Sequence, residues 1–225
     1  MGVDPASSRV RVRRGARKGR YDAEAVASVL ARGLVAHVAF VDREQPFCLP
    51  MLYAHVGDRL YVHGSRASRM LRRLSESAPV CVTVTVVDGL VLARSAFEHS
   101  VNYASVIALG RFATVEGEAE ELLALESFTE KLLPGRWREV RKPSRAELKA
   151  TTILSLALDE ASVKLRTGPP DDGRSADATL PVWAGVVPIE TRFGEPLPAP
   201  DLAPDVVRSA SVERLLELDA QRSSS

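Results

Sequence analysis

The chain has 225 residues, 45% apolar and 26% charged, a composition that fits one globular domain, at most with arms. Thirty basic against 29 acidic residues leave a net charge of +1, so bulk charge directs the chain to neither nucleic acid nor membrane. Apolar-rich runs such as Val80–Val87 fall far short of the roughly 20 residues that span a bilayer, and the N-terminus does not read as a secretory signal. Two cysteines, Cys48 and Cys81, build neither a disulfide framework nor a four-thiolate zinc site. The expectation is a cytoplasmic protein of a reducing compartment.

Residues 1–20 form a basic arm with Arg9, Arg11, Arg13, Arg14, Arg17, Lys18 and Arg20 against the single acid Asp4. It reads either as a solvated or partner-draped arm or as a segment for a phosphate or polyanion. Tyr21–Arg32 reads as a helix capped by Asp22, with Val26, Val29 and Leu30 at helical spacing and Gly33 as its stop. Strands follow at Leu34–Val41 and Pro46–Tyr53 across a turn at Asp42–Gln45, then at Arg59–His63 after Gly57-Asp58. Ser65–Ser77 switches to a helical period, and Val80–Val87 reads as a central strand that Asp88-Gly89 turns into Leu90–Ser95. Ala104–Val115 is a strand pair or one bent strand, and Glu118–Leu133 is the clearest helix, ending at Pro134-Gly135. Thr151–Leu158 and Ala161–Leu165 return to strand, Gly168–Asp177 is a loop, and Pro181–Pro188 is a short apolar segment around Trp183. A Pro-rich linker, Pro196–Pro204, and a terminal helix near Val206–Leu218 complete residues 191–225 as a linker and tail beyond a domain at 21–190. Many short strands with few helices suggest an antiparallel barrel with helices packed outside.

Neither phosphate-loop fingerprint occurs, no GxSxG elbow is present, and His37, His55, His63 and His99 lack metal-ligand spacing, so no metal site is expected. Two polar concentrations stand out. In Tyr61-Val-His-Gly-Ser-Arg-Ala-Ser-Arg-Met70 a strand ends at His63, Gly64 permits close approach, and Ser65, Arg66, Ser68 and Arg69 gather hydroxyls and charge at a helix start. That set reads as a phosphate cradle or as an ordinary capped helix with solvated arginines. Arg94–Ser105 reads as a polar loop whose Ser95, Ser100, Asn102 and Ser105 either join two strands or hydrogen-bond a polar ligand. Trp183-Ala-Gly offers an aromatic plane beside flexible backbone, for a ring pocket or simply for the core.

These segments carry a resemblance. Gln45–Tyr53, Leu60–Leu71, Val80–Thr85, Asp88–Phe97, His99–Tyr103, Leu133–Trp137, Glu147–Thr152, Lys164–Pro169 and Pro181–Pro188 together resemble the pyridoxamine 5′-phosphate oxidase-related split-barrel proteins, in particular their nitroimidazole-resistance branch. The resemblance covers roughly residues 17–190. It implies a six-stranded antiparallel split β-barrel with flanking helices, a homodimer, and FMN at the subunit interface. On that pattern Ser65, Arg66, Ser68 and Arg69 hold the flavin phosphate. Pro50, Met51, Leu52, Tyr53, His63 and Gly64 run past the ring and ribityl chain. Ser100, Asn102 and Ser105 complete the pocket and Trp183 closes it. The branch usually carries His where Glu98 stands and Arg where Ala104 stands, which predicts weaker FMN binding or an altered ligand.

Two functions follow as expectations. One is an FMN-dependent oxidoreductase acting on a small organic substrate such as a nitroaromatic, the cofactor supplying the redox chemistry and His63 the single candidate catalytic group. The other is a non-catalytic carrier or sensor of flavin, deazaflavin or haem.

Overall fold

A computed structural model describes residues 4–223; residues 1–3 and 224–225, the ends of the expected arm and tail, lie outside the described residues. After β1 (Gly19–Arg20), helix α1 (Ala23–Arg32) starts where Asp22 accepts a 2.8 Å hydrogen bond from the Ala25 amide, and it buries Val26, Val29 and Leu30. Strands β2 (Val35–Asp42) and β3 (Gln45–Leu52) pair along their whole length. Their two-residue turn takes left-handed backbone at Arg43 and Glu44, the geometry that suits a tight hairpin even without glycine. Then come β4 (Ala54–Val56), β5 (Arg59–Ser65), α2 (Arg69–Ser75), β6 (Pro79–Leu92), β7 (Ser100–Arg111) and β8 (Ala113–Thr114). Helices α3 (Glu118–Leu132) and α4 (Arg145–Ala150), strands β9 (Thr151–Ala157), β10 (Glu160–Arg166) and β11 (Gly185–Pro188), and helix α5 (Ala210–Ser223) complete the order.

Every ladder is antiparallel. A seven-stranded sheet runs β1-β10-β7-β6-β2-β3 with β11 also on β6, and a four-stranded sheet runs β4-β5-β9-β8. The chain crosses between the sheets at β3/β4, β5/β6, β7/β8 and β9/β10, so they wrap one interior without closing: a split barrel with flanking helices, as expected. Alternate residues of β2, β6 and β7 (Val38, Val82, Val84, Val106) meet Leu60, Val62, Leu154 and Leu156 of the smaller sheet, and Leu30 of α1 plugs the interior. Each such side chain contributes roughly 1.5–3 kcal/mol of burial. A second cluster (Ala54, Tyr61, Val115, Ala124, Phe128, Ile153) packs α3 on the other face of the smaller sheet.

Three expectations are corrected. Asp88-Gly89 does not turn the chain back: β6 runs on through a bulge between Val87 and Gly89. Beyond the bulge it stays paired on both sides, with β7 (Leu90↔Val101) and with β11 (Val186↔Val91), and that double ladder overrides the turn propensity of Asp-Gly. Consequently Ser100–Ser105 belong to strand β7 and not to a loop, the real connection being the short turn at Ala96–Glu98. Helix α2 is also shorter than expected, because Ser68 caps it through the Leu71 amide. Strand β4 and helix α4 add elements too short for periodicity, although Ser144 and Glu147 form a capping box legible in the sequence.

Helix α5 is held by polar contacts. Glu139 accepts from the Ser211 amide at 2.8 Å and from its hydroxyl, and Arg136 donates to Ser209 at 2.9 Å. The Ser211 hydroxyl bond, helped by its amide, Ser209 and Arg136, lowers the Glu139 carboxyl to about 2 against partial desolvation. A carboxylate depressed in the fold contributes stability that is complete above its ordinary value of 4.5 and is lost as pH falls toward about 2. Glu139→Gln should therefore free α5 at neutral pH, read as several-fold faster tryptic cleavage after Arg208 and Arg214. Unchanged cleavage would mean that apolar packing alone holds the helix.

Candidate functional site

Along β5 the side chains alternate, Leu60 and Val62 into the barrel, Tyr61 and His63 toward α3. His63 stands edge-on to Phe128 with ring centroids 4.3 Å apart. Both line a cleft of about 520 Å³ between the smaller sheet, α3 and the segment leading into α4, within the usual range of cofactor cavities. Its walls are mainly apolar (Leu52, Leu125, Leu132, Val140 and Pro143), with Trp137, Arg141 and Glu147 at the α4 side. Arg141 donates twice to Glu147, at 2.7 and 2.6 Å, and this guanidinium holds the carboxyl well below its ordinary range.

The Nδ1 atom of His63 is the only buried side-chain polar atom without a hydrogen-bond partner among the described residues. Leaving such an atom unpaired costs about 1–3 kcal/mol, so the position calls for a partner. Burial lowers the His63 pKa below its ordinary 6.5, which keeps the ring neutral with a lone pair available near neutral pH. A half-turn about χ2 exchanges Nδ1 with Cδ2 and Nε2 with Cε1 with little change in packing, so the ring orientation decides which nitrogen faces the cleft.

The Ser65–Arg69 segment follows directly. Gly64 lets α2 close onto β5, since a Cβ there would lie 2.9 Å from Leu71 Cδ1. The Ser65 hydroxyl accepts from the Ala67 amide, and that of Ser68 from the Leu71 amide, so each keeps its proton to donate outward. Arg66 is exposed and its guanidinium has no partner among the described residues, whereas Arg69 is ion-paired with Asp42. Two hydroxyls and one free guanidinium remain for an anion.

The structure divides the other expected residues. Leu52 lines the His63 cleft. Pro50 is exposed and Met51 packs partly against the core. Tyr53 is fully buried, its hydroxyl donating toward the Leu30 and Gly33 carbonyls at 2.7 and 2.9 Å beneath the Lys131 ammonium. Desolvation brings Lys131 down to about 8. Across the larger sheet Pro50, His37, Thr83 and Ile107 form one row, and Ser105 lies two residues along β7 from that row. At about 4.8 Å per strand, Ser105 sits roughly 15 Å from Pro50, so one subunit does not gather both around a single phosphate. Ser100 is exposed at the start of β7. Asn102 is buried, accepts from Arg166 at 2.7 Å and donates to the Gly168 carbonyl at 3.2 Å. Ala104 packs in the core, so an arginine there would meet apolar neighbours rather than solvent, while Glu98 is half-buried in the Ala96–Glu98 turn. Trp183 is 66% exposed and lies over Gly185, where a Cβ would come within 2.9 Å of its ring.

Sequence reasoning missed Phe128, Trp137 and Arg141 as cleft residues. The helical period of α3 explains Phe128 equally well as packing, and only the quoted Leu133-Pro-Gly-Arg-Trp137 segment pointed to this region. It also missed Asp172, whose buried carboxylate accepts from the Arg94 amide at 2.7 Å and from its guanidinium at 3.0 Å. Among the described residues no cluster of three or more potential metal ligands exists, and no helix is long and apolar enough to cross a membrane.

Residues 22–165 match the family model described as pyridoxamine 5′-phosphate oxidase. The chain is similar to the flavocytochrome Anf3 from Azotobacter vinelandii, with TM-score 0.88 and 38% identity over 95% of this chain and 99% of that one. It is similar to the FAD and heme binding protein from Mycobacterium smegmatis, with TM-score 0.83 and 40% identity over 88% and 97%. A structure from Bacteroides thetaiotaomicron described as a 5-nitroimidazole antibiotic resistance protein shares the fold, with TM-score 0.53 and 20% identity over 64% and 83%. No curated protein matches the chain.

Proposed function

We propose that this chain, which belongs to the pyridoxamine 5′-phosphate oxidase family, is a redox protein that binds a flavin and a haem. One observation carries the haem half: a buried imidazole nitrogen without a partner, on a neutral histidine lining an apolar cleft. Relatives at 38% and 40% identity, named as a flavocytochrome and as an FAD and heme binding protein, support the pairing, and the second favours the dinucleotide flavin over the FMN expected from sequence.

The residues present fit both groups. His63 would offer a lone pair to the haem iron, the leucine walls would pack against the macrocycle, and Arg141, now paired with Glu147, would supply a cation for a haem carboxylate. Ser65, Ser68 and Arg66 offer two O–H donors and a fixed charge for a flavin phosphate. When bound, a flavin exchanges electrons in pairs and a haem iron singly, so the two together link a hydride donor to one-electron acceptors. The chain's own part is to keep His63 neutral, hold its ring against Phe128 and supply cations to the anionic ends of both cofactors. We further propose a second copy on the outer face of the larger sheet, where Val35, Val41 and Val87 are exposed in adjacent strands.

The test is the absorption spectrum of the full chain purified without added cofactor, then after incubation with haem and FAD and gel filtration. A Soret band beside a flavin band is the expected result. Absence of both after reconstitution overturns the reading. Reduction of the haem by a nicotinamide dinucleotide through the flavin separates an oxidoreductase from a carrier.

A further inference from the structure

The N-terminal arm is fastened down. Val10 is buried, the Val12 amide donates to the Tyr21 hydroxyl at 2.9 Å, Arg9 pairs with Glu160 at 3.3 Å, and β1 continues the ladder through Gly19↔Lys164. This alternation sends Val10 inward and leaves Arg11, Arg13 and Arg14 exposed. Between the arm and the outer face of β7 and β10 lies a cavity of about 240 Å³. Its lining carries the four arginines of residues 9–14 together with Lys164, the Ser105 and Ser162 hydroxyls and the apolar side of Ile107, and it contains no carboxylate.

A neutral chain that packs five cations around one cavity sets up mutual repulsion that an anion relieves. Arg9 has Glu160, but Arg11, Arg13, Arg14 and Lys164 have no ion-pair partner among the described residues. The Ser162 hydroxyl beside guanidinium forks suits phosphate oxygens, the Ser105 hydroxyl donating instead to the Lys164 carbonyl at 3.4 Å, and the valine and isoleucine surface suits a flat ring. A second cavity of about 270 Å³, lined by Arg17, Lys18, Arg20 and Arg166 with one carboxylate, Asp171, lies against the neighbouring residues of β10 and extends the excess of positive charge along one path.

We infer that this arm-bounded trough binds an organic diphosphate, the adenosine diphosphate half of a dinucleotide. Two sources share that chemistry, a flavin dinucleotide, whose flavin phosphate would then lie here instead of at the Ser65–Arg69 cradle, and a nicotinamide dinucleotide donor; both rest on the function proposed above, while the binding of pyrophosphate and of ADP does not. The trough also gives Ser105 a setting separate from the Ser65–Arg69 cradle.

The experiment uses the full chain as purified, compared with Arg11→Gln/Arg13→Gln, Lys164→Gln and the distant control Arg145→Gln. Binding of inorganic pyrophosphate and of ADP is measured by calorimetry at fixed ionic strength, with flavin content after gel filtration and the apparent KM for NADH and NADPH alongside. Melting curves report folding, and the Soret band reports the haem site independently. The expected result is a tenfold or greater loss in the trough variants and none in the control. Release of FAD assigns the flavin dinucleotide as source and moves its flavin phosphate from the Ser65–Arg69 cradle to the trough. Retained flavin with a raised KM assigns the nicotinamide dinucleotide. Folded trough variants unchanged in all of these measures overturn the inference. So does tight binding of a single-stranded oligonucleotide that pyrophosphate fails to compete away. A lost Soret band with pyrophosphate binding intact counts against the haem reading alone.

Discussion

Purified His63→Ala protein should lack the Soret band of the native protein while keeping its flavin and its fold. The imidazole is the only nitrogen ligand among the residues lining the cleft besides the Trp137 indole, which carries its proton, and the Arg141 guanidinium, which stays charged. Outer-shell changes around a bound metal cost 10–100-fold in affinity, and removal of the axial ligand itself should exceed ~100-fold. Added imidazole should restore part of the band, because the alanine leaves space where the ring stood beside Phe128. The fold should survive: the change removes an unpaired buried nitrogen rather than a hydrogen-bonded one. Acidification gives an independent reading. Because burial holds the His63 pKa below 6.5, haem should stay bound as pH falls through that value and leave only under more acid conditions. The sign for stability is the same: the unfolded ring takes up its proton first, so the fold loses stability as pH drops below 6.5. A variant with an unaltered Soret band and no response to imidazole would place the haem elsewhere.

The second large effect is Asp172→Ala, a position with no place in either cofactor reading. The Asp172 carboxylate is 1% exposed and takes both the amide and the guanidinium of Arg94, whose side chain keeps 25% exposure. Removing one member of a buried pair costs about 3–5 kcal/mol. The partial exposure of Arg94 puts this case near the lower end, about 3 kcal/mol. For a chain of this size that corresponds to a fall in Tm of roughly 6–12 °C. Asp172→Asn, which can still accept one hydrogen bond, should recover part of it. The clasp joins the end of β6 to the segment leading to Trp183 and β11, so the variant should also raise amide exchange in Gly185–Pro188. A melting point within about 2 °C of the parent would mean that solvent replaces the pair at little cost, well below the figure for a buried pair.

The fold was largely legible because its signals are local. The Asp22 cap, the alternation in β2 and β6 and the apolar face of α3 each act within a few residues. Asp88-Gly89 misled because its outcome is decided by two partner strands, one of them about a hundred residues away in sequence. The candidate site was legible in part. Ser65, Arg66 and His63 stand together because they follow one another along β5 and its exit, a proximity that sequence guarantees. The roles of Tyr53 and Asn102 were hidden. Nothing local announces that the Tyr53 hydroxyl meets the end of α1, or that Asn102 meets Arg166 across a ladder. Phe128 and Arg141 reach His63 only through the packing of α3 and α4 on the smaller sheet.

Strand β3 ends the larger sheet and carries Pro46 and Pro50, which pair with Val41 and His37. They share one parity along the strand, and a proline is tolerated in a ladder only where its missing N–H would have pointed away from the partner. The free rim of β3 is thus stripped of donors at two alternate positions, and the opposite rim, β1, is two residues long. Neither of these two rims offers a template on which another chain could grow by strand addition.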